Sequence, residues 1–186
     1  MRADAARNLE AVLTTGAAML ARDPATSISA IAAEAGVDRR TVYRRFASRE
    51  DLLAAIYDSR LTAVEEVVRA ARLTESAVPV ALHRYAEGII EVNRTWPVEL
   101  TRMRAEPSIQ DRRARLTAEV DAFLRRATEE GFLRADVPEG WASRLLIQLL
   151  HLASREDLPA PRAADLLVST FLNGVGARQA ASPREW

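Results

Sequence analysis

Five arginines lie close together in the run GVDRRTVYRRFASRED, between Gly36 and Asp51. A guanidinium group can pair with a phosphate, or it can form two parallel hydrogen bonds with one planar edge such as that of guanine. All 26 basic residues of the chain are arginine, so position rather than residue type must carry the argument. The formal net charge is zero, yet no acidic residue interrupts this cluster, which predicts a local basic surface. Its members are Arg39, Arg40, Arg44, Arg45 and Arg49.

Two short helices joined by a glycine turn are predicted to position the cluster. Ser27 can cap the first helix, ISAIAAEA, which ends at Gly36, and Asp38 can cap the second, RRTVYRRF. Between the two helices, Val37 is expected to be buried. Within the second helix the apolar residues Val42 and Phe46 lie four positions apart, so they face inward and the arginines face outward. Two helices in this arrangement predict a helix-turn-helix, whose second helix enters the major groove of DNA.

The remaining apolar residues also recur at helical spacing. A first stripe runs from Leu9 to Leu20, and Ser48 with Asp51 forms a capping box that opens a long helix ending near Val68. Prolines and one glycine divide the rest into five helical segments. No segment alternates apolar and polar residues as strands do, so we predict an all-α fold. The five segments span residues 79–96, 98–106, 108–130, 139–154 and 162–172.

The run SISAIAAEAGVDRRTVYRRFASREDLL, from Ser27 to Leu53, resembles the DNA-binding region of TetR-family transcriptional regulators. It has an IA..AGV turn, then a T-V-Y-x-x-F recognition helix, then a basic residue before a leucine-rich helix. The match covers about the first third of the chain. The resemblance implies contacts with bases or phosphates from residues of both short helices, with Arg49 on a phosphate. These residues are Ser29, Arg39, Arg40, Thr41, Tyr43, Arg44, Arg45 and Arg49.

The same resemblance implies an N-terminal three-helix helix-turn-helix domain at 1–57 and a C-terminal helical domain for effector binding and dimerisation at 58–176. The segment at 177–186 lacks an apolar stripe, so we expect a disordered tail there. The segment WASRLLIQLLHLASRE is apolar nearly all round and needs two partners, either both from its own chain or one from a second subunit. TetR-family dimers favour the second subunit. The residues predicted at that interface are Leu145, Gln148, Leu149, Leu152, Leu167 and Phe171.

A small-molecule site is expected between Pro79 and Glu130, where proline breaks and large side chains can leave irregular packing. Alternatively, the large side chains there belong to the core and Asn93 bonds a neighbouring backbone group. Glu106 facing the cavity would suit an apolar cation, whereas an inward arginine would suit an anion. The predicted lining residues are Asn93, Trp96, Leu100, Met103, Glu106, Val120 and Phe123.

Enzymatic activity is not expected, because the sequence has no cysteine and no motif for a metal, a nucleotide or a catalytic serine. The two histidines, His83 and His151, belong to no zinc-binding pattern, so we expect no metal and no cofactor. We therefore predict a cytoplasmic, homodimeric one-component repressor that a small-molecule effector releases from a near-palindromic operator. The alternatives are an architectural DNA-binding protein without an effector and a small helical enzyme.

Overall fold

The computed structural model describes residues 2–97 and 107–175, and the regular elements among them are helices, as predicted. The predicted helix at 98–106 and the predicted tail at 177–186 lie outside the described residues. The helices are α1 (Arg2–Arg22), α2 (Ile28–Glu34), α3 (Arg39–Arg45), α4 (Arg49–Ala71), α5 (Val78–Thr95), α6 (Pro107–Glu129), α7 (Trp141–Arg155) and α8 (Ala160–Val175).

Prolines mark the starts of the later helices. Pro79 lies second in α5, Pro107 first in α6 and Pro161 second in α8. Proline is tolerated there because the first backbone N–H groups of a helix have no partner within the helix. The proline pattern therefore predicted these helices close to their observed bounds.

The chain divides into two compact units. The first contains the residues up to Glu65 and then Val92–Arg113, and the second contains Glu66–Glu91 and the residues from Ala114 onward. Helices α4, α5 and α6 contribute residues to both units. The domain boundary predicted between residues 57 and 58 falls inside α4, so one helix continues across it.

In the first unit, α2 packs against both α1 and α3. Val42 of α3 is buried, as is Phe46 just after it. Gly16 of α1 lets the helices approach closely, since a Cβ atom there would lie 3.0 Å from Ile56 Cδ1 and 3.5 Å from Ile31 Cγ2. Each fully buried large side chain contributes roughly 1.5–3 kcal/mol through the hydrophobic effect. This core fixes the orientation of α3.

In the second unit, α7 packs against α8. Leu146 and Leu150 of α7 are buried, together with Leu167 and Phe171 of α8. No helix in the described part of the chain is long and apolar enough to cross a membrane.

Candidate nucleic-acid interface

The turn between α2 and α3 forms as the sequence predicts, with one difference. Ser27 Oγ accepts a hydrogen bond from the backbone N–H of Ala30 at 3.2 Å and so caps α2. Gly36 has a φ of 65°, a left-handed conformation that glycine adopts without a steric penalty. Val37, expected to be buried, is only half-buried, because it lies beside an open groove between α1 and α3.

Asp38 sets the start of α3. Its Oδ1 atom accepts hydrogen bonds from the backbone N–H groups of Arg40 at 2.9 Å and Thr41 at 3.3 Å. The predicted cap is therefore confirmed. Such a cap contributes about 1 kcal/mol to helix stability, which matters for a helix of only seven residues.

The outward face of α3 carries all the side chains that the sequence placed there. Val42 is 2% exposed and faces the core, while the six other side chains are exposed. Among the described residues, no hydrogen bond or ion pair engages the guanidinium groups of Arg40, Arg44 or Arg45. The basic surface is therefore available to an external anion. The exposed residues are Arg39, Arg40, Thr41, Tyr43, Arg44 and Arg45.

Tyr43 links the two short helices. Its hydroxyl lies 3.2 Å from Ser29 Oγ on α2, and the Arg39 guanidinium lies 5.2 Å from the centre of its ring. The hydrogen bond with Ser29, assisted by Arg39, lowers the pKa of the Tyr43 hydroxyl below its ordinary value. Tyr43 is still 40% exposed, so it can contact a ligand while helping to hold α3 against α2.

Arg49, the first residue of α4, is held from inside the unit. Its guanidinium donates hydrogen bonds to the backbone carbonyls of Pro24 and Thr26 in the loop between α1 and α2. The side chain is half-buried. These contacts fix the loop that leads into α2, a role that the sequence did not indicate; the predicted phosphate contact of Arg49 stays a prediction.

The predicted effector-site residues fall into three groups. Asn93, whose Oδ1 accepts a hydrogen bond from Arg60 Nη2 at 2.9 Å, and the buried Trp96 belong to the first unit. Half-buried Val120 and buried Phe123 belong to the second unit. The remaining three residues, Leu100, Met103 and Glu106, lie outside the described residues.

The predicted dimer residues differ widely in exposure. Leu167 and Phe171 are buried inside the protomer, whereas Gln148 and Leu152 are exposed. Leu145 and Leu149 are half-buried.

The predicted interface leaves out three exposed large apolar residues of α7 and α8. Trp141 and Ile147 are each 49% exposed, and Leu166 is 47% exposed. Since consecutive residues of a helix differ by about 100° in direction, placing Leu146 and Leu167 in the core would have put Ile147 and Leu166 on another side.

Within residues 2–97 and 107–175, no group of three or more histidine or acidic side chains is placed to hold a metal ion.

Comparison with known proteins identifies a family model and relatives that match this chain. A sequence model described as bacterial regulatory proteins, tetR family, matches residues 17–56. The HTH-type transcriptional repressor LfrR of Mycolicibacterium smegmatis is 31% identical over 183 residues, a match that covers 91% of this chain and 90% of LfrR.

Solved structures have the same fold. The crystal structure of LfrR from Mycobacterium smegmatis in complex with proflavine superposes with a TM-score of 0.69 at 24% identity, covering 95% of this chain and 99% of that one. The structure of the ketosteroid transcriptional regulator KstR2 of Mycobacterium tuberculosis gives a TM-score of 0.74 at 21% identity, covering 90% and 94%.

Proposed function

The chain belongs to the tetR family of bacterial regulatory proteins, and we propose that it is a homodimeric, cytoplasmic repressor that a small molecule releases from a near-palindromic operator. The observation that carries the DNA-binding part is the outward face of α3. Three of its arginines have no partner among the described residues, while Asp38 and Tyr43 fix the helix that bears them. A rigid helix with free guanidinium groups suits the major groove.

We assign the DNA contacts to the side chains of α3 that are exposed to solvent. Arg40, Arg44 and Arg45 contact bases or phosphates, with Thr41 and Arg39 at the start of the helix. Tyr43 contacts the backbone while its hydroxyl remains on Ser29. A bidentate arginine on guanine gives about 1–3 kcal/mol of discrimination against a wrong base, whereas a phosphate contact weakens all sequences alike when removed.

The test is recovery of the genomic fragments that the purified chain binds, followed by titration of one recovered duplex and a shuffled duplex of the same composition. We expect the recovered duplex to bind at least a hundredfold more tightly at moderate salt. Equal affinity for both would favour the architectural alternative. Turnover of a substrate would favour the enzyme.

The dimer surface that we propose lies on the exposed sides of α7 and α8. Ile147, Leu152 and Leu166 are large apolar side chains that remain about half exposed or more in the protomer. Leu167 and Phe171 support this surface from the core and do not reach the partner. DNA readers of this type use two-fold symmetry to place two helices on two half-sites.

Leu152→Arg tests this surface, with Val80→Arg as the matched control because Val80 is an exposed apolar residue on α5. We expect sedimentation to give dimers for the parent and the control, and monomers for Leu152→Arg. The Leu152→Arg variant should also lose tight operator binding. A parent that sediments as a monomer at micromolar concentration would contradict the proposal.

For the effector, we propose a planar aromatic cation bound by the C-terminal helices. The solved LfrR structure contains proflavine, which is such a cation, and the predicted effector-site residues include the aromatic Trp96 and the acidic Glu106. Aromatic faces attract cations. Proflavine is the probe: we expect it to bind and to displace the chain from its operator, and Glu106→Gln to weaken both effects. Unchanged operator affinity in saturating proflavine would contradict the proposal.

A further inference from the structure

A groove runs between α1 and α3 on the helix-turn-helix unit. Its volume is about 610 Å³, within the range of roughly 300–1,000 Å³ that is typical of small-molecule sites. Its apolar wall comes from Leu9 and Val12 of α1, Val42 of α3, and the flanking residues Val37 and Phe46. Val12, Val42 and Phe46 form the buried floor of the groove, and the half-buried side chains of Leu9 and Val37 supply the apolar surface that solvent still reaches.

The polar residues at the groove are unevenly charged. Arg44 and Arg45 of α3 line one side, and among the described residues neither guanidinium has a hydrogen bond or ion pair. The acidic lining residue, Asp4, is already paired with Arg7 on the same helix. Two free positive charges beside an apolar wall select a molecule with a hydrocarbon body and an anionic head.

We propose that this groove binds a monomeric amphipathic anion, such as a medium-chain carboxylate, whose head pairs with Arg44 or Arg45 and whose chain covers the apolar wall. This occupant would use the same two arginines that we propose for DNA, so it would compete with DNA directly. The competition rests on the proposed function, whereas binding to the groove does not. This ligand carries the opposite charge to the cationic effector proposed for the C-terminal helices. One protein would then bind two classes of ligand at two different sites.

The experiment titrates sodium decanoate, kept well below its micelle-forming concentration, into the full-length chain by calorimetry. We expect one site per protomer and an affinity that falls about tenfold to fifteenfold when octanoate replaces decanoate, because two fewer methylene groups leave water. Decyltrimethylammonium should bind at least tenfold more weakly than decanoate, because its head is repelled by the two arginines. Equal binding of the cation and the anion would overturn the proposal.

Two α1 variants locate the site. Ala5 lines the groove, whereas Ala6 is exposed on the same helix and does not. We expect Ala5→Trp to fill part of the groove and weaken decanoate binding at least tenfold, and Ala6→Trp to leave it within twofold. Both variants should keep the parent's circular dichroism. Equal decanoate affinity in the two variants would mean that the ligand binds elsewhere and would overturn the proposal.

A competition assay then separates this site from the effector site. Decanoate should displace the parent and Ala6→Trp from a bound duplex, and it should fail on Ala5→Trp, while proflavine acts equally on all three. If decanoate bound in calorimetry but left the duplex bound, the proposed competition with DNA would be wrong, whereas the proposed binding site would stand. If the chain bound no duplex, the calorimetric comparison would still decide the site while the proposed function failed.

Discussion

Replacing Arg49 with methionine separates a structural role from a phosphate contact. Methionine keeps an unbranched stem and a similar helix propensity, but it cannot donate to the carbonyls of Pro24 and Thr26. Hydrogen bonds from charged donors contribute roughly 1.5–3 kcal/mol each. Because the side chain is only half-buried, water replaces part of this stabilisation. We therefore expect Arg49→Met to lower the free energy of unfolding by about 2 kcal/mol.

The assay combines urea denaturation with operator binding at several salt concentrations, and Arg45→Met is the matched control. Arg45 is exposed on α3 and has no partner among the described residues, so its replacement should change stability by less than about 0.5 kcal/mol. If Arg45 neutralises a DNA phosphate, Arg45→Met should reduce the slope of the logarithm of operator affinity against the logarithm of salt concentration by about 0.9. Arg49→Met should change the slope less than Arg45→Met does.

The opposite pattern would refute this reasoning. If Arg49→Met left the urea midpoint unchanged and reduced the salt slope as much as Arg45→Met did, then Arg49 would serve mainly as a phosphate contact. Arginine has five N–H donors, so an intermediate result would measure how its donors are shared between the loop and DNA.

Four further substitutions have defined outcomes. Asp38→Ala removes the cap of α3 and should lower the unfolding free energy by about 1 kcal/mol in urea denaturation while weakening operator binding. Gly88→Ala would place a Cβ atom 2.6 Å from Val67 Cγ1 and should cost about 1–3 kcal/mol, whereas Gly174→Ala meets open space and should stabilise α8 slightly. Arg112→Met removes a guanidinium whose pKa is raised by two carboxylates, and it should cost about 1–3 kcal/mol, less in high salt, measured by thermal denaturation.

The sequence predicted most of the local geometry around α3, because that geometry depends on neighbours within a few residues. Ser27, Asp38 and the Ser48–Asp51 box each cap a helix from within three positions, and Gly36 takes the left-handed conformation that its residue type favours. Spacing alone also separated the buried Val42 from its exposed neighbours.

Contacts between distant segments could not be predicted in this way. Arg112 donates to Glu65 at 2.7 Å through both Nε and Nη2, and also to Asp58, across some fifty residues of sequence. A chain with 26 arginines and 26 acidic residues allows very many such pairs. Helical periodicity defines which face a residue occupies, but only packing decides which helix meets that face. Helices α7 and α8 illustrate the same limit, since their apolar content did not predict that Ile147 would be exposed and Leu167 buried.

Helix capping bears on how a chain of zero net charge keeps a basic surface. Three acidic residues lie next to the arginine cluster: Asp38, Glu50 and Asp51. Two of them, Asp38 and Asp51, accept hydrogen bonds at helix starts. Asp38 accepts from two backbone N–H groups of α3, and Asp51 Oδ2 accepts from the backbone N–H of Ser48 at 3.0 Å. Each carboxylate is thus committed to a helix start, where the helix dipole favours negative charge. Neither carboxylate pairs with a guanidinium of α3, so Arg40, Arg44 and Arg45 remain available to a DNA phosphate or an amphipathic anion.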